Sequence, residues 1–236
     1  MELKRGHWTQ SDYGEYLNYL KSIGEDKYRE FSSKLIPDTP LMFGIRTPEL
    51  RKIAKEILKG NYGEFLACKK GGYHEEIVIE GLVMAGIKCG YSEMLALMKR
   101  FSEKIYNWAI CDTVSFKGLK KYLNEFIADV PQFIHSENPW VQRFGFGCLM
   151  EFYLSEEYID TVFDFVNSVN SDFYYVEMMQ AWLVATAAAK QRDKTFAFLK
   201  NNKMNDFTHN KAIQKMRESN RISKEDKDLA ASLKRS

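Results

Sequence analysis

Four residue groups along the chain carry chemistry that a purely structural role seldom requires. Asn107-Trp108-Ala-Ile-Cys-Asp112 sets an indole and a carboxylate four residues apart, which places both on one face of a helix. Farther on, Asn138-Pro139-Trp140-Val-Gln-Arg143 sets a guanidinium about one turn into another helix. Tyr175-Val-Glu177-Met-Met-Gln-Ala-Trp182 sets a second indole about two turns into a third. A carboxylate flanked by aromatic faces and an arginine suits the stabilisation of a cation that develops near DNA. The same residues also have a plainer reading, with Trp108, Trp140 and Trp182 as core aromatics and Asp112–Arg143 as an ion pair between neighbouring repeats. For Trp140 the plainer reading is preferred, because Pro139-Trp140 opens a helix and can pack as a staple on the preceding turn. For the others, spacing alone leaves both readings open.

The elements that must position these residues recur. Tyr73-His-Glu-Glu-Ile, Tyr106-Asn-Trp-Ala-Ile, Pro139-Trp-Val-Gln-Arg, Tyr174-Tyr-Val-Glu-Met and Thr208-His-Asn-Lys-Ala open successive stretches at spacings of 33, 33, 35 and 34 residues. A period in this range, each unit running from a polar or aromatic residue into an apolar helix, predicts stacked helix pairs. The fold class expected is all-α, an α-solenoid whose inner helices line a concave groove. Equivalent positions of successive inner helices would bring Trp108, Asp112, Arg143 and Trp182 towards one ligand. One domain over 1–236 is expected, with N-terminal helices in 1–36 and repeats from about 37 onward.

Within that frame the spacing predicts helices at His7–Ile23, with Thr9 or Ser11 as the cap, and at Asp26–Leu35. A loop with Pro37, Pro40 and Gly44 follows. Thr47-Pro48-Glu49 then opens a helix with a cap, a proline and an acid in its first turn. Leu50, Ile53, Ala54, Ile57 and Leu58 form its core stripe, and Arg51, Lys52, Lys55 and Lys59 its other face, as solvated charge or phosphate contacts. Ser223 caps a last helix, Lys224–Lys234. No sustained alternation predicts a strand. The cysteines Cys68, Cys89, Cys111 and Cys148 stand singly in apolar stretches and read as small buried hydrophobes. They suggest neither a zinc site nor a disulfide framework.

The net charge of +2 is unevenly distributed. From Ala187 to Ser236 there are 13 Lys and Arg against 6 Asp and Glu, a balance of +7 that leaves −5 for the preceding residues. Such asymmetry suggests a polyanion met by one basic face, with Lys211, Lys215 and Arg217 as candidate phosphate contacts, or else a set of solvated helix faces. No apolar run reaches the roughly 20 residues of a bilayer helix, and the first residues lack an apolar signal core, so a cytoplasmic protein is expected. Nothing signals an oligomer, and a monomer is expected.

At these residues the chain resembles a known family. Phe43-Gly-Ile-Arg-Thr-Pro-Glu-Leu-Arg51, the Asn107–Asp112 and Asn138–Arg143 stretches, and Phe173-Tyr-Tyr-Val-Glu-Met-Met-Gln-Ala-Trp182 look like the corresponding segments of the AlkD-type DNA alkylation-repair glycosylases. The likeness runs from about Pro37 towards the end of the chain. It implies a solenoid of HEAT-like repeats that holds duplex DNA in its concave face and removes N3- or N7-alkylated purines, with no metal or other cofactor. Position by position, Trp108 and Trp182 resemble the two indoles that pack on the deoxyribose of the lesion. Asp112 resembles the catalytic carboxylate between them, and Arg143 the guanidinium beside the DNA backbone; Arg51 is carried as a further DNA contact. The family is associated with excision while the base stays stacked.

The chain departs from the family pattern in several places. Leu35 stands where the best-known members offer an aromatic residue to DNA, Ala109 stands in place of an acid, and Met178 and Ala185 stand in place of basic residues. The alternative to a glycosylase is therefore a non-catalytic repeat module that binds DNA or a protein.

Overall fold

The computed structural model describes residues 1–36, 39 and 41–235. Pro37 and Pro40, two of the expected loop markers, lie outside the described residues. Every regular element described is helical, and the chain forms two compact units, Met1–Tyr122 and Leu123–Ser236.

The first unit contains α1 (Gln10–Ile23), α2 (Asp26–Leu35), α3 (Thr47–Ile57), α4 (Tyr62–Ala67), α5 (His74–Gly86), α6 (Tyr91–Ser102), α7 (Trp108–Thr113) and a 3₁₀ turn, Lys117–Lys121. The expected start of α1 at His7 moves to Gln10 because Thr9 is the cap: its hydroxyl accepts the Asp12 N–H, and the Asp12 carboxylate accepts the Thr9 N–H. Thr47 does not cap α3. The helix starts at Thr47 itself, with Arg46 as the flanking residue. Of the expected stripe, Leu50, Ile53, Ala54 and Ile57 are buried, whereas Leu58 is only partly covered.

The centre of this unit is α5, which packs on α3, α6, α7 and the 3₁₀ turn. Three of its acids are buried, each with a defined task. The Glu75 carboxylate accepts the N–H groups of Phe43, Gly44 and Ile45 at 3.0, 2.7 and 3.1 Å. Glu76 accepts the Tyr13 hydroxyl at 2.7 Å and the N–H groups of Gly71 and Tyr73. Glu80 accepts Lys104 and Arg100. Buried carboxylates persist only when hydrogen-bonded or paired, so these three residues fix the connections around α5. Gly44 is required where it stands, with φ of 85°. A Cβ there would also meet the Glu25 carbonyl at 2.5 Å.

The second unit contains α8 (Leu123–Asp129), α9 (Pro131–Ile134), α10 (Pro139–Phe152), α11 (Ile159–Ser168), α12 (Tyr174–Ala188), α13 (Arg192–Lys200), α14 (Asp206–Glu218) and α15 (Lys224–Ala231). Here α12 lies between α10 and α14, and α11 packs on α13. Both flanks of α12 are covered, which explains why its sequence is apolar nearly all round. Ser223 caps α15 as expected, but the helix stops at Ala231. The segment after it folds back: Arg235 donates to the carbonyls of Met204 and Asn202, and its backbone N–H to Asn210. His209 meets the Leu233 carbonyl at 2.8 Å.

All four cysteines are free. Cys111 and Cys148 are buried, while Cys68 and Cys89 are only half-buried, with thiols directed at backbone carbonyls. The buried-hydrophobe expectation therefore fits two of the four.

Candidate active site

In the first unit the site residues sit on α7, a helix of fewer than two turns that cannot stand by itself. Its entry is fixed by Asn107, fully buried, whose side-chain oxygen accepts the Ile110 N–H at 3.0 Å and whose amide donates to the Thr39 hydroxyl. Ala109, Ile110 and Cys111 face the core. Trp108 and Asp112 face the other way, one turn apart. The Trp108 indole N–H donates to the Leu35 carbonyl at 3.2 Å, the last carbonyl of α2, so the ring plane is set from a distant helix end. Asp112 is exposed. From α3, Arg51 donates to the Thr113 carbonyl at 3.1 Å, placing a guanidinium at the C-terminal end of α7. On the same helix as Arg51, Lys52 pairs with Glu49, and just past its end Lys59 pairs with Glu56, which makes these two lysines solvated surface charge.

The substitution at Leu35 has a structural counterpart. Leu35 is exposed, and one turn earlier on α2 Phe31 is 60% exposed, so the helix still offers an aromatic ring to solvent. Ala109 is buried, a position where a carboxylate would be costly.

In the second unit Asn138 caps α10 through the Trp140 N–H. Trp140 packs on Phe173 edge to face and on Tyr175, at ring separations of 5.2 and 5.1 Å. It is a packing residue, as expected, but it packs forward onto the start of α12. Arg143 is 5% exposed and donates to the Tyr175 carbonyl at 2.6 Å. Truncating it would leave the Tyr175 carbonyl without this donor. Trp182 is 41% exposed, two turns into α12. The Lys215 ammonium from α14 lies 5.9 Å from its ring centroid, and burial pushes that ammonium below its ordinary pKa, with Glu218 opposing and Lys211 and Arg143 adding to the fall. Trp182 thus meets a positive charge from the neighbouring helix.

Lys211 and Lys215 share a face of α14, and Lys211 lies over the Phe207 ring at 5.5 Å. Arg217 is exposed but two residues on from Lys215, hence off that face. Sequence reasoning missed Arg221, which with Trp182, Thr186, Lys215 and Glu218 lines a shallow depression of about 240 Å³. It also missed Tyr174 and Phe207, two exposed rings 6.1 Å apart. An aromatic residue four positions before a lysine on one helix was the available signal.

The family description "DNA alkylation repair enzyme" matches residues 16–216. The chain belongs to that family. The match runs from Tyr16 in α1 to Met216 in α14 and includes Arg51, Trp108, Asp112, Arg143, Trp182, Lys211 and Lys215; Arg217 and Arg221 lie beyond it. No match is found among curated proteins. Membership in an alkylation-repair family makes damaged DNA the substrate context in which these residues are to be understood. No described helix is long and apolar enough to cross a membrane.

Proposed function

We propose that the protein is a monofunctional DNA glycosylase that hydrolyses the N-glycosidic bond of N3- or N7-alkylated purines in duplex DNA and leaves an abasic site. The observation that carries this reading is the arrangement on α7, where an exposed carboxylate stands one helical turn from an indole whose ring is locked by the Leu35 carbonyl. Alkylation makes the base cationic and a good leaving group, so the enzyme's task is to stabilise positive charge on the sugar. The C1′–N bond breaks with its electron pair going to the base nitrogen, which discharges the alkylpurine. Water adds its oxygen to C1′ and releases a proton to Asp112 or to solvent. Asp112 supplies negative charge where the oxocarbenium character grows, and Trp108 offers the face of its ring to the same sugar, worth about 0.5–2 kcal/mol.

In the second unit, Trp182 is assigned the equivalent aromatic role, and Lys211, Lys215 and Arg217 are assigned phosphate contacts, with Arg51 in the first. The order α10, α12, α14 supports the reading of HEAT-like repeats. Arg143, buried on the Tyr175 carbonyl, is assigned a role in holding the start of α12 while its charge contributes to the potential at the surface. The chemistry calls for no cofactor and no second subunit.

The test is incubation with duplex DNA bearing N7-methylguanine, scored for released base by chromatography. Release above the spontaneous rate, abolished in a folded Asp112→Asn protein, supports the assignment. A protein that binds this DNA but releases nothing at excess enzyme would instead be the binding module.

A further inference from the structure

The second unit carries an aromatic surface that the proposed chemistry does not use. Tyr174 opens α12 and Phe207 stands in the first turn of α14, and their rings are 51% and 43% exposed although they lie only 6.1 Å apart. Two adjacent rings left half in water form an apolar patch of the kind that marks a binding surface. The patch is also held rigidly. Asn205 caps α14 on the Thr208 N–H, and its amide nitrogen donates to the Glu177 carboxylate at 2.9 Å and to the Ser171 carbonyl at 3.2 Å, which ties the start of α14 to the start of α12. On α12, Tyr175 meets the Tyr174 ring edge to face at 5.2 Å and is itself packed on Trp140.

Cations flank these rings at helical spacing. Phe207, Lys211 and Lys215 fall at every fourth position of α14 and so share one face, with Lys211 5.5 Å from the Phe207 ring and Lys215 5.9 Å from the Trp182 ring. Lys211 donates to the neutral amide of Gln214, and Asp206, the acid next to Phe207, is met by Arg235 at 3.4 Å. Tyr174 and Phe207 are 33 residues apart, as are Trp182 and Lys215. The two pairs thus sit at matching levels of α12 and α14, about 12 Å from each other along the helices. At about 3.4 Å of strand per nucleotide, a strand seated at Trp182 reaches the rings about three or four nucleotides away. Exposed rings interleaved with cations suit single-stranded nucleic acid, whose bases have a free face to stack. Bases inside a duplex have none, since each face is covered by its neighbours. Nor do two touching rings tilted by 52° make the thin wedge that enters a duplex.

We propose that Tyr174 and Phe207 form a stacking ledge for an unpaired DNA base, with the Lys211 ammonium beside its phosphate, so that DNA with a single-stranded overhang is held more tightly than a blunt duplex. This rests on the DNA-binding part of the proposed function and not on bond cleavage, and undamaged DNA serves as the probe.

The full-length protein is titrated by fluorescence anisotropy with a blunt duplex and with the same duplex carrying a short adenine overhang at its 3′ or its 5′ end. One of the overhangs should tighten binding about tenfold, the size of one base stacked on an aromatic ring. Combining Tyr174→Ala with Phe207→Ala removes two exposed rings, and the double variant, confirmed folded by its melt, should lose that difference while keeping its affinity for the blunt duplex. Phe207→Tyr, which keeps the ring, should retain the difference. Equal affinity of the unaltered protein for blunt and overhanging DNA, or a preference kept by the folded double variant, overturns the ledge. Self-association that the double variant abolishes, seen by sedimentation, would give the rings to a second copy of the chain and overturn it as well. Equal binding accompanied by release of N7-methylguanine from damaged duplex sinks the ledge alone. Tighter binding of the overhang with no release at excess enzyme supports the ledge and sinks the glycosylase reading.

Discussion

The two units solve one problem with opposite charges. In the first, the backbone groups of a sharp connection are satisfied by a buried acid: Glu75 takes three N–H groups from Phe43–Ile45. In the second, buried or half-buried guanidinium groups take the carbonyls. Arg143 donates to Tyr175, and Arg235 donates to Met204 and Asn202. Glu75 and Arg235 hold non-repeating backbone against a helical core, where unpaired groups would be costly, and Arg143 holds the first turn of α12. The difference teaches that part of the charge on each unit is internal carpentry: Glu75 in the first and Arg143 and Arg235 in the second are bound to the protein's own backbone, so a count of charges per segment is not a count of charges offered to DNA.

The comparison breaks most visibly at Glu75. Replacing Glu75 with Ala leaves three buried donors unmet and should lower stability by about 3–5 kcal/mol, read by urea denaturation. A loss of under about 1 kcal/mol would mean that water or a rearranged loop takes over and that the clamp is dispensable. Asp112→Asn should behave in the opposite way, with the melting temperature nearly unchanged and excision of N7-methylguanine lowered by roughly 10²–10³-fold. Full activity in that variant would remove Asp112 from the chemistry.

A smaller effect sharpens the contrast between interiors. His74 in the first unit and His209 in the second are both buried, and burial lowers the ring pKa of each. The folded chain then resists protonation that the unfolded chain accepts near the ordinary value of about 6.5. Stability is complete above that pH and falls as the pH drops below it towards the folded pKa. His74→Gln and His209→Gln should each flatten the decline in melting temperature below about pH 6.5. A slope unchanged in both would assign acid sensitivity to the carboxylates alone.

The smallest effect concerns the surface of α14. Lys215→Ala should leave folding intact and reduce the slope of log affinity for DNA against log salt by about one unit. Arg217→Ala, which changes a residue off the Lys211–Lys215 face, should alter that slope less. Equal effects from the two would mean that binding depends on total charge and not on one face.

Much of this architecture was legible in the sequence because helix boundaries are local events. Thr9 and Ser223 announced their caps through residue type alone, and the helix-opening residues repeat at nearly even intervals. Trp108 and Asp112 were legible as a pair because four residues make one turn. The partners were not. Glu75 and the Phe43–Ile45 loop are some thirty residues apart, and nothing in either segment names the other. The Phe43-Gly-Ile-Arg stretch that carried part of the family likeness is, in the fold, the ligand of that carboxylate. Arg143 could be read as a groove cation or as the partner of Asp112, and its bond to the Tyr175 carbonyl was in neither reading, because sequence does not show which side of a helix the next helix will cover. Lys215 could not be matched to Trp182 for the same reason, since the two helices that bring them together are separated by α13.

Arg51 occupies a position with a consequence for control. Its guanidinium closes the end of α7 by holding the Thr113 carbonyl. An anion that draws Arg51 away must first undo that bond, so anion affinity is reduced by whatever the bond contributes. By reciprocity, the end of α7 becomes looser by the same free energy. The residue thus joins ligand capture to the stiffness of the shortest helix in the first unit that carries proposed chemistry, and a change at either place is felt at the other.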